Sequence, residues 1–247
     1  MPVCIAVSFG SERYRHVEPV LRFGNIRAGA CATLASGPHS DRMHPVPELV
    51  DSRLYDLLEA EAGQAHDSVR RLAQFLDEGG RSPAIMVQPL EFSDKIASEI
   101  RAHLIQATLT SLPKPDIEAL SQAIAAIPLA AKRFTERFGL AAGSLAANDF
   151  APALNWIEEL TEILLDTVRQ LRGFESLDRV KLLYPRLQTV ADRAEALIQE
   201  TVNRAYERPA DPLDLLKVKD LGDRLTGIVD HARVAGGLMN AISLGFF

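Results

Sequence analysis

Two aspartates stand at matching places beside two apolar stripes in the last third of the sequence. The first segment reads Leu187-Gln188-Thr189-Val190-Ala191-Asp192, and the second reads Leu225-Thr226-Gly227-Ile228-Val229-Asp230. On a helix, residues four apart lie on one face, one turn from each other. A pair of acids at that spacing on each of two neighbouring helices would offer four carboxylates, the oxygen-rich shell that hard divalent cations take. Here the leading position of each pair is Gln188 or Thr226, so each helix offers one carboxylate. Asp192 and Asp230 are therefore candidate ligands of a reduced metal site. The plain alternative is a solvated carboxylate at the edge of a helix seam, a common place for Asp on an amphipathic helix.

Other chemistry is sparse. The histidines (His16, His39, His44, His66, His103 and His231) show no paired metal-ligand spacing, and each reads as a surface or edge residue. His231 adjoins Asp230 in sequence, which places it on a different face of the helix. No Ser-His-Asp order, nucleophile elbow or phosphate-cradling glycine loop occurs, so no catalytic residue is assigned and the chain does not read as an enzyme. Gly236-Gly237 falls inside a helical pattern and suits a close helix–helix approach better than a phosphate nest. The basic run Lys132-Arg133 with Arg137 reads as a solvated face, with acidic headgroups or an acidic loop of a partner as the alternative.

The elements that must position these residues are helical. Asp51 or Ser52 caps a first helix with the stripe Leu54, Leu57/Leu58, Ala65, Val69, Leu72 and Leu76, stopped at Gly79-Gly80. A second helix follows Pro89, with Ile96, Ile100, Leu104 and Ala107 on one face, and stops before Pro113. The third has the cleanest seam: Ile117, Leu120, Ile124, Ile127, Ala131, Phe134 and Phe138, spaced alternately by three and four. Pro128 inside it predicts a kink, and Gly139 and Gly143 predict its close. The fourth opens near Asn148 or Asp149, with Pro152 in its first turn and Leu154, Ile157, Thr161, Leu164, Val168 and Leu171 facing inward, to Gly173. The fifth runs from about Ser176 to Tyr206 on Val180, Leu183, Leu187, Ala191, Ala194 and Ile198, before the break at Pro209. The sixth is capped by Asp211 with Pro212 first, on Leu221, Leu225, Ile228, Ala232, Ala235, Met239 and Ile242. Six helices with short loops, divided near 140–148, predict an all-α fold of two antiparallel three-helix bundles, about 51–141 and 148–247 within a helical domain 49–247.

Residues 1–48 differ. Up to Arg42 they hold five Arg against three acids, with scattered Gly, Ser and Pro and no sustained period. The expectation is a poorly ordered extension with a strand-like piece at Val3–Ser8. Initiation at Met43 and a functional extension are equally good readings of this segment.

Composition narrows the function. The chain has 247 residues, 47% hydrophobic and 24% charged, ordinary for a water-soluble globular protein. A net charge of −6 argues against general nucleic-acid binding. Cys4 and Cys31 alone cannot build a disulfide scaffold or a thiolate metal site. The longest apolar runs, Ala123–Ala131 and Gly236–Phe247, are too short to span a bilayer. The reading is a cytoplasmic protein.

The stretch Asp211-Pro-Leu-Asp-Leu-Leu-Lys-Val-Lys-Asp-Leu, running on to Ile228-Val-Asp230-His-Ala-Arg-Val-Ala-Gly-Gly-Leu-Met-Asn-Ala-Ile242, resembles the last helix of PhoU-like proteins, in the branch that accompanies Pit-type phosphate permeases. Leu187–Leu197 is similar to that family's third metal-motif helix, and Ser52-Arg-Leu-Tyr-Asp-Leu-Leu-Glu59 to its opening helix. Leu112-Pro-Lys-Pro-Asp-Ile-Glu-Ala-Leu120 sits where the family has a Thr-Pro-x-Asp-Arg-Glu-Asp-Ile turn. The match in order and length covers about residues 50–247. It implies two three-helix bundles and a regulator that acts on a phosphate transporter from the cytoplasmic side, with a peripheral place at the inner membrane and room for a homo-oligomer. It also implies acid-x-x-x-Asp elements on four helices, binding a divalent or ferric ion. In this sequence those elements are degenerate. The first is Leu90…Asp94, with Glu91 one residue out of phase; the second falls at Ala125/Ala126…Leu129; the third and fourth are Gln188…Asp192 and Thr226…Asp230. Asp94, Asp192 and Asp230 remain as the candidate ligands. A carboxylate metal protein, for storage or di-metal chemistry, is the alternative to a transport regulator.

Overall fold

The computed structural model describes residues 48–80, 86–107, 110–141, 147–172, 177–207 and 211–245. The N-terminal segment, its cysteines and first three histidines, and the breaks at Gly143, Gly173 and Pro209 lie outside the described residues. Six α-helices follow one another: α1 Glu48–Asp77, α2 Val87–Gln106, α3 Lys114–Ala141, α4 Ala151–Gln170, α5 Leu177–Tyr206 and α6 Pro212–Gly245. A 3-10 turn, Ala147–Phe150, leads into α4. The described residues contain no strand.

Local chemistry sets the helix ends. At the start of α6 the Asp211 carboxylate accepts the Leu213 N–H at 2.9 Å, and Pro212 supplies a first residue with no N–H to satisfy. After α1 the chain reverses on Gly79 and Gly80, with φ of 75° and 74°. The Gly80 N–H donates to Phe75 O at 2.8 Å, and Gly79 N–H to Leu76 O at 2.9 Å, closing carbonyls that the helix leaves open. Several ends differ from the sequence expectation. Helix α3 begins at Lys114, earlier than its apolar stripe, because Pro115 fits a first turn. It continues through Gly139 to Ala141, since an exposed glycine weakens a helix without ending it. Pro128 and Pro185 both lie within continuous helices.

Direction is fixed by the side-chain pairs. Arg172 meets Asp56 at 2.6 Å and Glu59 at 2.9 Å, Arg169 meets Glu59 at 3.0 Å, and Arg70 meets Glu158 at 3.5 Å. Numbers fall along α4 as they rise along α1, so these two helices are antiparallel. Glu61 against Ser121 and Phe75 against Phe138 show that α1 and α3 run parallel, with α2 returning between them. Arg186–Glu159 and Arg193 over Trp156 set α4 antiparallel to α5, and Gly222 against Val202 with Gly236 against Leu187 sets α5 antiparallel to α6. The helices thus form two three-helix bundles, α1–α3 and α4–α6, joined broadside along α1/α4 and α3/α6. One apolar core runs through both bundles, from Leu54 to Ile242. Phe134, stacked with Phe138 and edge-on to Phe150, fills the junction where the second bundle begins.

Candidate functional site

Each bundle gathers polar groups at one place. In the first, a cleft of about 260 Å³ opens between α2 and α3. Asp94, Ala97 and Arg101 come from α2, and Glu118, Ser121, Gln122, Ala125, Ala126 and Leu129 from α3. The structure therefore brings together the first two degenerate elements, Asp94 and Ala125/Ala126…Leu129. The wall at the second element is apolar. Only Asp94 and Glu118 supply carboxylates to the cleft lining, and among the described residues neither has an ion-pair partner.

Beneath the lining lies Glu61 of α1, fully buried. Ser121 donates its hydroxyl to Glu61 Oε1 at 3.0 Å, while Oε2 has no hydrogen-bond partner among the described residues. Burial raises the Glu61 pKa to about 8; the Ser121 hydrogen bond and the Arg101 charge oppose this without offsetting it. At neutral pH Glu61 is a neutral acid one hydrogen bond from the cleft. Its sequence signal is phase: Glu61 is four residues from Leu57 and from Ala65, inside the apolar stripe, where a charged residue is out of keeping.

The second bundle brings Asp192 and Asp230 to one guanidinium. Arg233, three residues after Asp230 on α6, donates to Asp192 of α5 at 2.6 Å and to Glu195 at 2.7 Å, and approaches Asp230 at 3.8 Å. The Arg233 side chain is 23% exposed, while those of Asp192 and Asp230 are 72% and 60% exposed. The leading positions turn inward: Gln188 and Thr226 are half-buried, and the Thr226 hydroxyl is buried with no hydrogen-bond partner among the described residues. Burial holds the neighbouring His231 below its usual pKa; Arg133 adds to this and Asp230 opposes it.

Asp94 stands on the α2/α3 cleft, apart from the Asp192–Asp230 pair. Among the described residues no group of three or more His, Cys, Asp and Glu side chains is placed to hold a metal ion. The donor sets agree with that geometry. One bundle meets Asp94 with alanine and leucine, and the other meets its carboxylates with an arginine, so neither fits a multi-carboxylate metal centre. Gly236 serves the close approach expected of it: a Cβ there would lie 2.9 Å from Leu187 Cδ1. Gly237 has open space. Lys132 pairs with Glu136 along the surface of α3, but Arg137 reaches Asp220 of α6, so part of the basic run ties the bundles together.

No family model matches the sequence, and no curated protein matches it. Solved structures do. A PhoU-like phosphate regulatory protein of Shewanella oneidensis MR-1 superposes with a TM-score of 0.64 at 16% identity, covering 78% of this chain and 100% of its own. Another structure, of a PhoU-like protein from the same organism, gives a TM-score of 0.66 at 16% identity with the same coverage. No helix among the described residues is long and apolar enough to cross a membrane. The chain shares the all-α fold of these two PhoU-like structures.

Proposed function

We propose that this protein is a cytoplasmic PhoU-like regulator of phosphate transport that acts by docking a helix face on a membrane permease of the Pit type. The observation that carries the reading is the structural match: both Shewanella structures are covered completely, over 78% of this chain. The polar sites support a binding role over a catalytic one. The cleft carries two carboxylates, an arginine and an apolar wall, and its hydroxyl–carboxyl contact, Ser121 to Glu61, is buried with Glu61 held as a neutral acid. Metal storage is less favoured, because its three aspartates fall in two places and two of them face Arg233, a cation.

Co-purification of the full chain with a phosphate permease from its own cells tests the proposal, together with phosphate uptake in a deletion strain. The expected result is a stable complex and altered cellular phosphate. Unchanged uptake with no permease recovered would refute it. Elemental analysis of the protein purified without chelator separates the storage alternative, which requires close to one metal per chain.

A further inference from the structure

We propose that the cleft between α2 and α3 binds a small aliphatic amino carboxylate, with its ammonium on Asp94, its carboxylate on Arg101 and Ser121, and its carbon body on the apolar wall. The cleft holds both signs of charge, and neither is used up inside the fold. Among the described residues Asp94 and Arg101 form no ion pair, with each other or with another side chain. Arg101 donates its Nε–H to Ala97 O at 3.3 Å. That bond folds the side chain back along α2 toward Asp94 and leaves the outer guanidinium N–H groups for a ligand. Asp94 stands two turns before Arg101, about 10 Å along the helix axis, so one small molecule can bridge them. Between the two, Ala97 of α2 faces Ala125, Ala126 and Leu129 of α3. The volume of about 260 Å³ is less than a drug-sized ligand needs and admits a molecule of amino-acid size.

Glu61 and Ser121 supply a third anchor. Ser121 lines the cleft and meets Glu61 at 3.0 Å, and Glu61 is fully buried with Oε2 lacking a hydrogen-bond partner among the described residues. The groups acting on Glu61 are Ser121 from α3 and Arg101 from α2, which places all three at one level of the bundle. A neutral Glu61 carries a proton with no acceptor. With that proton on the oxygen facing Ser121, it donates to Ser121 Oγ, and the Ser121 hydroxyl turns outward to a ligand carboxylate beside Arg101. The hydrogen bond reverses direction and no proton is transferred. Glu118 lies at the same end, where it accepts from the Gln122 amide at 3.4 Å. With Glu61 neutral, Asp94 and Glu118 outnumber Arg101, so the lining favours a zwitterion over an inorganic anion. This inference stands whether or not the protein docks on a permease.

Isothermal titration calorimetry of the full chain at neutral pH tests it. Leucine, γ-aminobutyrate and ε-aminocaproate sample three spacings between ammonium and carboxylate. Hexylamine, hexanoate and phosphate, each with one sign of charge, are the controls. At least one amino carboxylate is expected to bind one per chain, roughly tenfold or more tighter than every control, the worth of one charge-assisted hydrogen bond. Asp94→Asn and Arg101→Gln should each weaken it by a similar factor. Both side chains are exposed, so circular dichroism of the two variants should match wild type. Ala126→Phe, which fills the cleft and alters no charge, should remove binding. The inference is overturned if no amino carboxylate exceeds the controls by that factor, or if one does and binds Asp94→Asn and Arg101→Gln as tightly as wild type.

Discussion

Glu61 makes stability depend on pH in a way that one substitution can isolate. Its carboxyl is fully buried between α1 and α3, with Ser121 as its hydrogen-bond donor, and its pKa rises from 4.5 to about 8. The folded chain therefore holds a proton that the unfolded chain releases. Where the native state binds more protons, stability falls with pH, by about 1.4 kcal/mol per unit for one proton. The contribution is whole below pH 4.5 and is lost as pH rises through about 8. Between pH 5.5 and 8 the wild type should lose roughly 3 kcal/mol relative to Glu61→Gln, whose amide keeps the acceptor for Ser121 but cannot ionise. His231 works in the opposite direction. Burial lowers its pKa, so its unfolded form takes the proton more readily and stability rises as pH climbs through the window up to 6.5. Both proteins carry His231, so that effect cancels in the difference. Urea unfolding at pH 5.5, 7 and 8 measures it. Parallel stability profiles for wild type and Glu61→Gln, within about 0.5 kcal/mol, would show that Glu61 is ionised or hydrated in the fold, and would refute the reasoning.

Three further outcomes follow from packing and charge. Gly80→Ala should cost about 2–4 kcal/mol by chemical denaturation, because φ there is 74° and an added methyl would collide with the Phe138 ring. Phe134→Ala should cost about 3–5 kcal/mol, since the ring is fully buried between Phe138 and Phe150 and leaves a cavity at the bundle junction; a loss under 1 kcal/mol would mean the junction closes over it. Asp192→Asn with Asp230→Asn should change stability by no more than about 1 kcal/mol, because both carboxylates are mostly exposed and Glu195 still meets Arg233.

Periodicity determined the helices. The seam Ile117, Leu120, Ile124, Ile127, Ala131, Phe134 and Phe138 is buried throughout, as are the predicted inward faces of α4 and α6. Asp211 and Pro212 marked the start of α6 because capping and the missing proline N–H act within a few residues. The order of the helices was legible for the same reason: capping and apolar phase are local chemistry. The joining of α1 to α4 and α3 to α6 was not, since ion pairs such as Arg172–Asp56 and Arg137–Asp220 link residues remote in sequence.

The sites divide in the same way. Spacing placed Asp192 and Asp230 at equivalent turns, and the antiparallel pairing of α5 and α6 does bring them to one spot. Only the tertiary structure placed Arg233 between them and added Glu195, because a guanidinium three residues from an aspartate reads in sequence as an ordinary surface pair. Only the tertiary structure showed that Asp94 faces alanine and leucine across a cleft. Glu61 carried its signal in phase with the α1 stripe, but its neutral state was decided by what surrounds it. Desolvation depends on every element packed around a carboxyl, and a sequence specifies those neighbours only through the fold.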